Sequence, residues 1–252
     1  MFKQSFGVLQ RVGKALMLPV ALLPAAGILL ALGDALQNPD ITSNLPFLEA
    51  TWVVMLASIM QSAGAIVFAN LPLLFAVGVA IGLSNGDGVA GLAALIGFMI
   101  MNVTMGVTGG ITADMIGPDN PGYAMVLGIP TLGTGVFGGV IAGLLGAYTY
   151  KKYFNIELPS YLGFFAGKRF VPIATAFFAL FLGVILHFVW PTVQLGMNNL
   201  SYLLVDSNRT LAAFIFGVIE RAQSQSHHPS FFLRKLDLVL LIMVITFLLT
   251  ER

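Results

Sequence analysis

Long apolar runs broken by short polar punctuation dominate the chain, and their lengths set the first expectation. A helix that crosses a bilayer needs about 20 mostly apolar residues, because a hydrocarbon core about 30 Å thick is climbed at about 1.5 Å per residue. Stretches 17–36, 51–69, 88–107, 125–150 and 170–190 meet that requirement. Two others are half-length: "LPLLFAVGVAIGLS" at 71–84, held between Pro72 and an "SNGDG" turn, and "LAAFIFGVI" at 211–219, which follows "VDSNR". Segments of that length suit re-entrant or broken helices, whose free backbone groups are tolerated only against protein or water. The pattern predicts an all-α polytopic membrane protein with about six or seven transmembrane or re-entrant helices.

Composition strengthens this reading. Of 252 residues, 58% are hydrophobic and 9% charged, where a soluble domain carries about 25% charged residues. The net charge of +1, with no basic stripe interleaved with aromatics, leaves no footprint for nucleic acid as a partner. Without cysteine there is no disulfide, no thiolate metal site and no cysteine nucleophile. The N-terminus places basic residues ahead of an apolar run, as a signal peptide does. The run outlasts an h-region of about 7 to 15 residues, so it reads as a retained first span.

The distribution of charge then constrains topology. Lys3, Arg11 and Lys14 precede the first run, and Lys151, Lys152, Lys168 and Arg169 surround the segment after 125–150. Cytoplasmic loops collect Lys and Arg. If both clusters are cytoplasmic, an even number of crossings separates them, and 71–84 is the candidate expected not to cross. The acidic loops holding Asp40, Glu49, Asp114 and Asp119 then fall outside. "NIELPSYLGFFAGKRF" fits a segment lying in the membrane interface, with Tyr161, Phe164 and Phe165 among headgroups and Lys168 and Arg169 in water. A plain connecting loop is the alternative.

Several residues are candidates for chemistry or for close packing. Gly135, Gly139 and Gly143 recur at four-residue spacing and share a helix face, which allows another backbone to approach closely. Packing is the simpler use, and a substrate path the other; Gly78 and Gly82 repeat the spacing. Asn70 with Pro72, and Asn102 with Thr104, are polar at membrane depth and need partners from a neighbouring helix or a polar ligand. His187 is ionisable within a span, which by default suggests function, yet it stands near a helix end beside Trp190 and reads as interfacial. Asp206 and Arg209 can pair within one turn. "GVTGGITAD" from Gly106 has no preceding strand and no nearby cation, so it reads as an external turn. No P-loop, nucleophile elbow or zinc-protease motif is present. Glu220 and Arg221 end an apolar half-helix, where a charged pair costs a few kcal/mol unless it faces water, a partner or a polar substrate. A guanidinium can bind two sugar hydroxyls or a phosphate at once.

Five stretches together resemble the membrane-embedded IIC domain (EIIC) of bacterial phosphotransferase-system sugar permeases, of the glucose-type branch. They are "GKALMLPVALLPAAGILLALG", "NLPLLFAVGVAIGLSNGDGVAGLAALIG", "LGIPTLGTGVFGGVIAGLLGA", "LPSYLGFFAGKRFVPI" and "TLAAFIFGVIER", and they run almost continuously to Arg221. The resemblance implies a partial EIIC domain over residues 1–221, multi-pass in the bacterial cytoplasmic membrane. It implies a homodimer joined through the N-terminal spans and surrounded by membrane lipid. Such a permease takes up a hexose, glucose first, and presents its six-position hydroxyl to a phosphocysteine on IIB, charged in turn by IIA and a phosphohistidine protein. That transfer needs a sugar cradle, an orienting carboxylate and cations near the phosphoryl group. No metal or cofactor is implied, because IIB supplies the phosphoryl group. Arg221 matches a substrate-site arginine of the family, with Glu220 beside it; no catalytic residue is carried over.

The departures from the family pattern are as specific. Ala69 stands where the family usually has Asp before "NLP". After the Glu-Arg pair the family continues with roughly "xLIPFGLHH", whereas here Pro229 takes the histidine's place and His227 and His228 cannot be aligned without a gap. The family's later "GITE" has no counterpart, since "GGITAD" near Gly110 lies elsewhere and has Ala113 in place of the acid. The cysteine-bearing IIB domain is absent. Residues 222–252 do not resemble the family, and the apolar run "LVLLIMVITFLL" within them is short for a span. One choice of codons for "LRKLDL" at Leu233–Leu238, read from the second base, yields a family-like Phe-Gly-Ser-Trp, so a change of reading frame after about Ala222 is expected. On this reading the chain is a truncated permease, inactive alone. The alternatives are a non-catalytic membrane fragment that dimerises with an intact permease, and a sugar transporter outside the phosphotransferase system.

Overall fold

The computed structural model describes residue 13 and residues 15–43, 45–117 and 120–205. The long helices are α1 (Met17–Ala35), α2 (Thr51–Ala69), α3 (Leu71–Leu83), α4 (Gly88–Thr108), α5 (Gly135–Tyr153) and α6 (Phe170–Val205). One antiparallel hairpin, β1 (Tyr123–Val126) and β2 (Ile129–Leu132), joins α4 to α5. Residues 15–184 form one compact unit, and residue 13 with residues 185–205 belongs to a second. Among the described residues, α2, α4 and the stretch Gly167–Asn198 are long and apolar enough to cross a membrane, while α1 and α3 contribute shorter apolar helices. The chain is an all-α membrane protein.

Local chemistry explains where the helices stop. At Asn70 the backbone N–H turns back to Ile66 and Phe68 carbonyls. The side-chain amide also donates to Ile66 O at 2.8 Å, and Pro72 next offers no N–H to carry the ladder on. Apolar sequence is therefore split into α2 and α3. At the start of α4, Asp87 caps the helix by accepting from Val89 N at 2.9 Å. Lys151 and Lys152 occupy the last turn of α5, where cations favour the negative end of the helix dipole.

Small residues set the packing within residues 15–184. A Cβ added at Gly33 would fall 2.6 Å from Ala57 O, and one at Gly64 would fall 2.6 Å from Ala26 O. These contacts place α1 and α2 antiparallel with their backbones nearly touching. Helix α3 runs on in the direction of α2, because Gly78 faces Pro19 and Gly82 faces Ala15. Helix α5 lies parallel to α3, with Gly139 on Pro72 and Gly143 on Ala76, and antiparallel to α4, with Gly146 on Ala94. The first half of α6 closes on α4 through Gly97 against Thr175 and Gly183 against Met101. Phe75, Ala76, Val79, Ala80, Ala93, Ala94, Phe98 and Met101 are buried between these helices. Large apolar side chains point outward instead, among them Trp52, Met55 and Ile59 on α2 and Phe177 and Phe181 on α6. That inversion, small residues inside and large ones outside, is what a lipid solvent permits.

Several expectations change. The run 125–150 is not one span: its first third is the hairpin, and the helix begins at Gly135. Leu127 and Gly128 form the two-residue turn with φ of 53° and 77°, the backbone a tight hairpin demands, and Pro130 is a poor helix residue there. Gly135 does not share the packing face of Gly139 and Gly143. It opens the helix at φ 51° with no atom within 4 Å of an added Cβ. The last apolar run extends beyond 190, through Pro191, to Val205 as one helix. Of "GVTGGITAD", the first three residues finish α4, and only Gly109 and Gly110 begin the turn. The half-length run 71–84 is indeed a separate short helix, of 13 residues. The run 211–219 and the pair Asp206 and Arg209 lie outside the described residues.

Candidate functional site

The described polar groups gather in three places. The first is at one end of the helices. The Asp87 carboxylate, already capping α4, accepts from Tyr150 Oη at 2.7 Å and from Lys168 Nζ at 2.6 Å. This joins the α3–α4 turn, the last turn of α5 and the segment after it. Lys168, then Tyr150 and the Val89 amide, hold the Asp87 carboxyl below its usual 3.8, at about 2. All three donors favour the ionised carboxylate over the neutral acid. Ala15 meets Gly82 at this same end, so the start of α1 and the Lys151–Arg169 cluster lie together.

The second place is the α1–α2 seam. Gln37 Nε2 donates to Gly33 O at 2.9 Å and to Gln61 Oε1 at 3.1 Å, and Ser58 Oγ donates to Gln37 Oε1 at 3.1 Å. Gln61 Nε2 in turn reaches Asp34 Oδ1 at 3.2 Å. The amides satisfy one another, so this network clamps two helices and was not anticipated from sequence. Its signal was present: Asp34, Gln37, Ser58 and Gln61 are polar positions in or beside apolar runs that must find partners.

The third place is buried. Asn102 Nδ2 donates to Phe98 O at 2.8 Å within α4, and Thr131 Oγ1 of β2 donates to Asn102 O at 2.9 Å. The hairpin is thereby pinned to α4, with Gly106 giving room for the Pro130 carbonyl. Asn102 Oδ1 is buried and has no hydrogen-bond partner among the described residues. Thr149 Oγ1 and Thr175 Oγ1 meet at 2.5 Å between α5 and α6. Thr104 bonds back to Ile100 O at 2.8 Å. Asn70, Asn102 and Thr104 thus spend their donors on structure. His187, within the second unit, stacks edge-on against Phe188 at 5.1 Å and leaves a buried Nδ1 without a partner among the described residues.

Between α5 and α6 the chain forms two short 3-10 turns, Ser160–Phe165 and Gly167–Arg169. Tyr161 is 81% exposed and Phe164 71%. Glu220 and Arg221, the two substrate-binding candidates, lie outside the described residues, as do His227 and His228. Among the described residues no three His, Asp or Glu side chains converge to hold a metal ion.

The sequence matches the family described as Phosphotransferase system, EIIC, over residues 13–223. The matched stretch takes in every described helix and also Glu220 and Arg221.

Proposed function

Because the chain belongs to the phosphotransferase-system EIIC family, we propose that it is the permease component for a hexose, glucose first, with uptake coupled to phosphorylation of that sugar. A sugar-specific, membrane-embedded component that works with IIB and IIA is what family membership itself establishes. The finer reading assigns Arg221 and Glu220 to the sugar: the guanidinium spans two hydroxyls, and the carboxylate accepts from a third. The phosphoryl group comes from IIB, and no cofactor is needed. The chain passes several times through a bacterial cytoplasmic membrane, with Lys151, Lys152, Lys168 and Arg169 at the cytoplasmic end, and pairs as a homodimer through its N-terminal spans.

The observation that carries this reading is the family match, which continues through the Glu-Arg pair and stops at residue 223. The match does not extend beyond residue 223, and we attribute the tail to a change of reading frame after about Ala222. The test is uptake of labelled glucose by a permease-deficient strain expressing either the 252-residue chain or the same gene read in its alternative frame after codon 222. Uptake that depends on phosphoenolpyruvate is expected from the reframed gene and not from the chain alone. Uptake by the chain alone would overturn the reading of the tail. Failure of the reframed gene to transport any hexose would overturn the assignment of the substrate.

A further inference from the structure

The segment between α5 and α6 presents more chemistry than a connection needs. Its ends are tied together, since Gly167 N donates to Ile156 O at 2.9 Å, and internal bonds run from Leu162 N to Pro159 O at 2.8 Å and from Ala166 N to Gly163 O at 3.2 Å. Lys168 then anchors it to Asp87 at 2.6 Å. A strap fixed in this way holds its side chains in place without help from a partner. It points Tyr161, Phe164 and Phe165 outward.

Cations stand on one of these rings and on the tyrosines at the end of α5. Arg169 lies over the Phe164 ring at 4.8 Å and, among the described residues, donates from Nη1 to Phe164 O at 3.1 Å, with other N–H groups of its fork on an exposed side chain. Lys152 sits 5.3 Å from the Tyr153 ring centre and 5.7 Å from that of Tyr148. Lys151 is exposed beside it. Lys168 is the member of the cluster with a carboxylate partner among the described residues. Lys151, Lys152 and Arg169 remain, opposed locally by Glu157.

We propose that this face, built from the last turn of α5 and the 156–169 strap, binds the headgroups of anionic phospholipids. Two observations favour lipid over a soluble protein. The exposed Tyr148, Phe154 and Phe177 carry the outward apolar surface of α5 and α6 up to the strap, so the aromatic ledge sits where such a surface ends. The exposed cations Lys151, Lys152 and Arg169 stand at the same level, and the mixture of Tyr, Lys and Arg is that of an interfacial anchor. A phosphodiester supplies what the cluster lacks, a negative charge that can accept from an exposed guanidinium. This inference is independent of the sugar and of the tail.

The test uses the full chain reconstituted in phosphatidylcholine bilayers, with a trace of spin-labelled phosphatidylglycerol or spin-labelled phosphatidylcholine. Each basic residue near an anionic surface contributes up to about fivefold, screened by salt. The glycerol lipid should therefore be favoured roughly three- to tenfold at low ionic strength, approaching parity near 0.5 M salt. The triple variant K151Q/K152Q/R169Q should lose most of that preference, and R169Q alone about half, while melting in detergent as the parent does. R169Q carries the test if the triple variant fails to assemble. Equal association of the two lipids with the parent chain overturns the proposal, as does a preference that survives these substitutions. So does loss of binding to a soluble IIB protein in the variants without any lipid preference in the parent, which would make the face a protein-docking surface.

Discussion

Replacing Gly139 by Ala tests the central packing of the unit. An added Cβ would come 2.7 Å from Pro72 C and 3.0 Å from its Cα, and closer still to the Pro72 carbonyl oxygen. These atoms belong to the first turn of α3, whose backbone cannot swing aside as a flexible side chain could. Overpacking of this kind costs about 1–3 kcal/mol, while the change from Gly to Ala within a helix by itself returns about 0.5–1 kcal/mol. The rigid neighbour puts the cost toward its upper end, so a net loss of about 1–2 kcal/mol is expected. For a chain of this size 1 kcal/mol moves the melting temperature by about 2–4 °C, and G139A should melt about 2–8 °C below the parent in detergent. G143A should behave alike, since its Cβ would meet Ala76 O at 2.6 Å and Val79 Cβ at 2.9 Å. Gly88 is the control, with nothing within 4 Å of an added Cβ. If G139A melts at or above the parent temperature while G88A is unchanged, α3 and α5 are not in backbone contact and the packing argument fails.

Two further outcomes follow from the polar groups. Thr131→Val removes the hydroxyl that pins the hairpin to Asn102 O at 2.9 Å; it should cost about 0.5–1.5 kcal/mol, read as a lower melting temperature, and an unchanged melt would show that the hairpin is held by shape alone. The Asp87 carboxyl has a folded value near 2 against an ordinary 3.8, so its tie to Lys168 is complete above about pH 4 and lost as the pH falls through about 2. Pepsin cleavage at Phe164 and Phe165 should then separate the parent from D87N at pH 4 and converge only below pH 2, and equal rates at pH 4 would show that the strap is held without Asp87.

Sequence and structure agree most closely where one physical signal acts alone. Apolar length fixed α1, α2 and α4 to within a residue or two, and Pro72 behind Asn70 marked the break before α3. The stretch 125–150 misled because its hydropathy is continuous: "YAMVLGIPTLGTG" is apolar enough for a span, and only its paired turn residues and Pro130 betray a hairpin. The run 170–190 fell short in the opposite sense: Pro191 lies inside the helix, where a proline forfeits one hydrogen bond without ending it. The Asp87–Lys168 tie could not be read at all, because 81 residues separate its partners and no local pattern encodes that distance. Glu220 and Arg221 were legible only through resemblance.

The packing bears on function through what it uses up. A glycine face on α5 could have served close helix contact or a path for a polar solute. At Gly139 the space is filled by Pro72, at Gly143 by Ala76 and Val79, and at Gly146 by Ala94. Gly33, Gly64, Gly78 and Gly82 are likewise closed by their neighbours. A sugar carries hydroxyls that each demand a partner once removed from water, yet the faces that meet here are alkyl groups and carbonyls already bonded along their helices. The Gln37–Gln61 network and the Thr149–Thr175 pair are internally matched as well. A substrate path along that glycine face therefore loses its ground, and the polar cradle that a sugar needs must be sought elsewhere, beginning with Glu220 and Arg221.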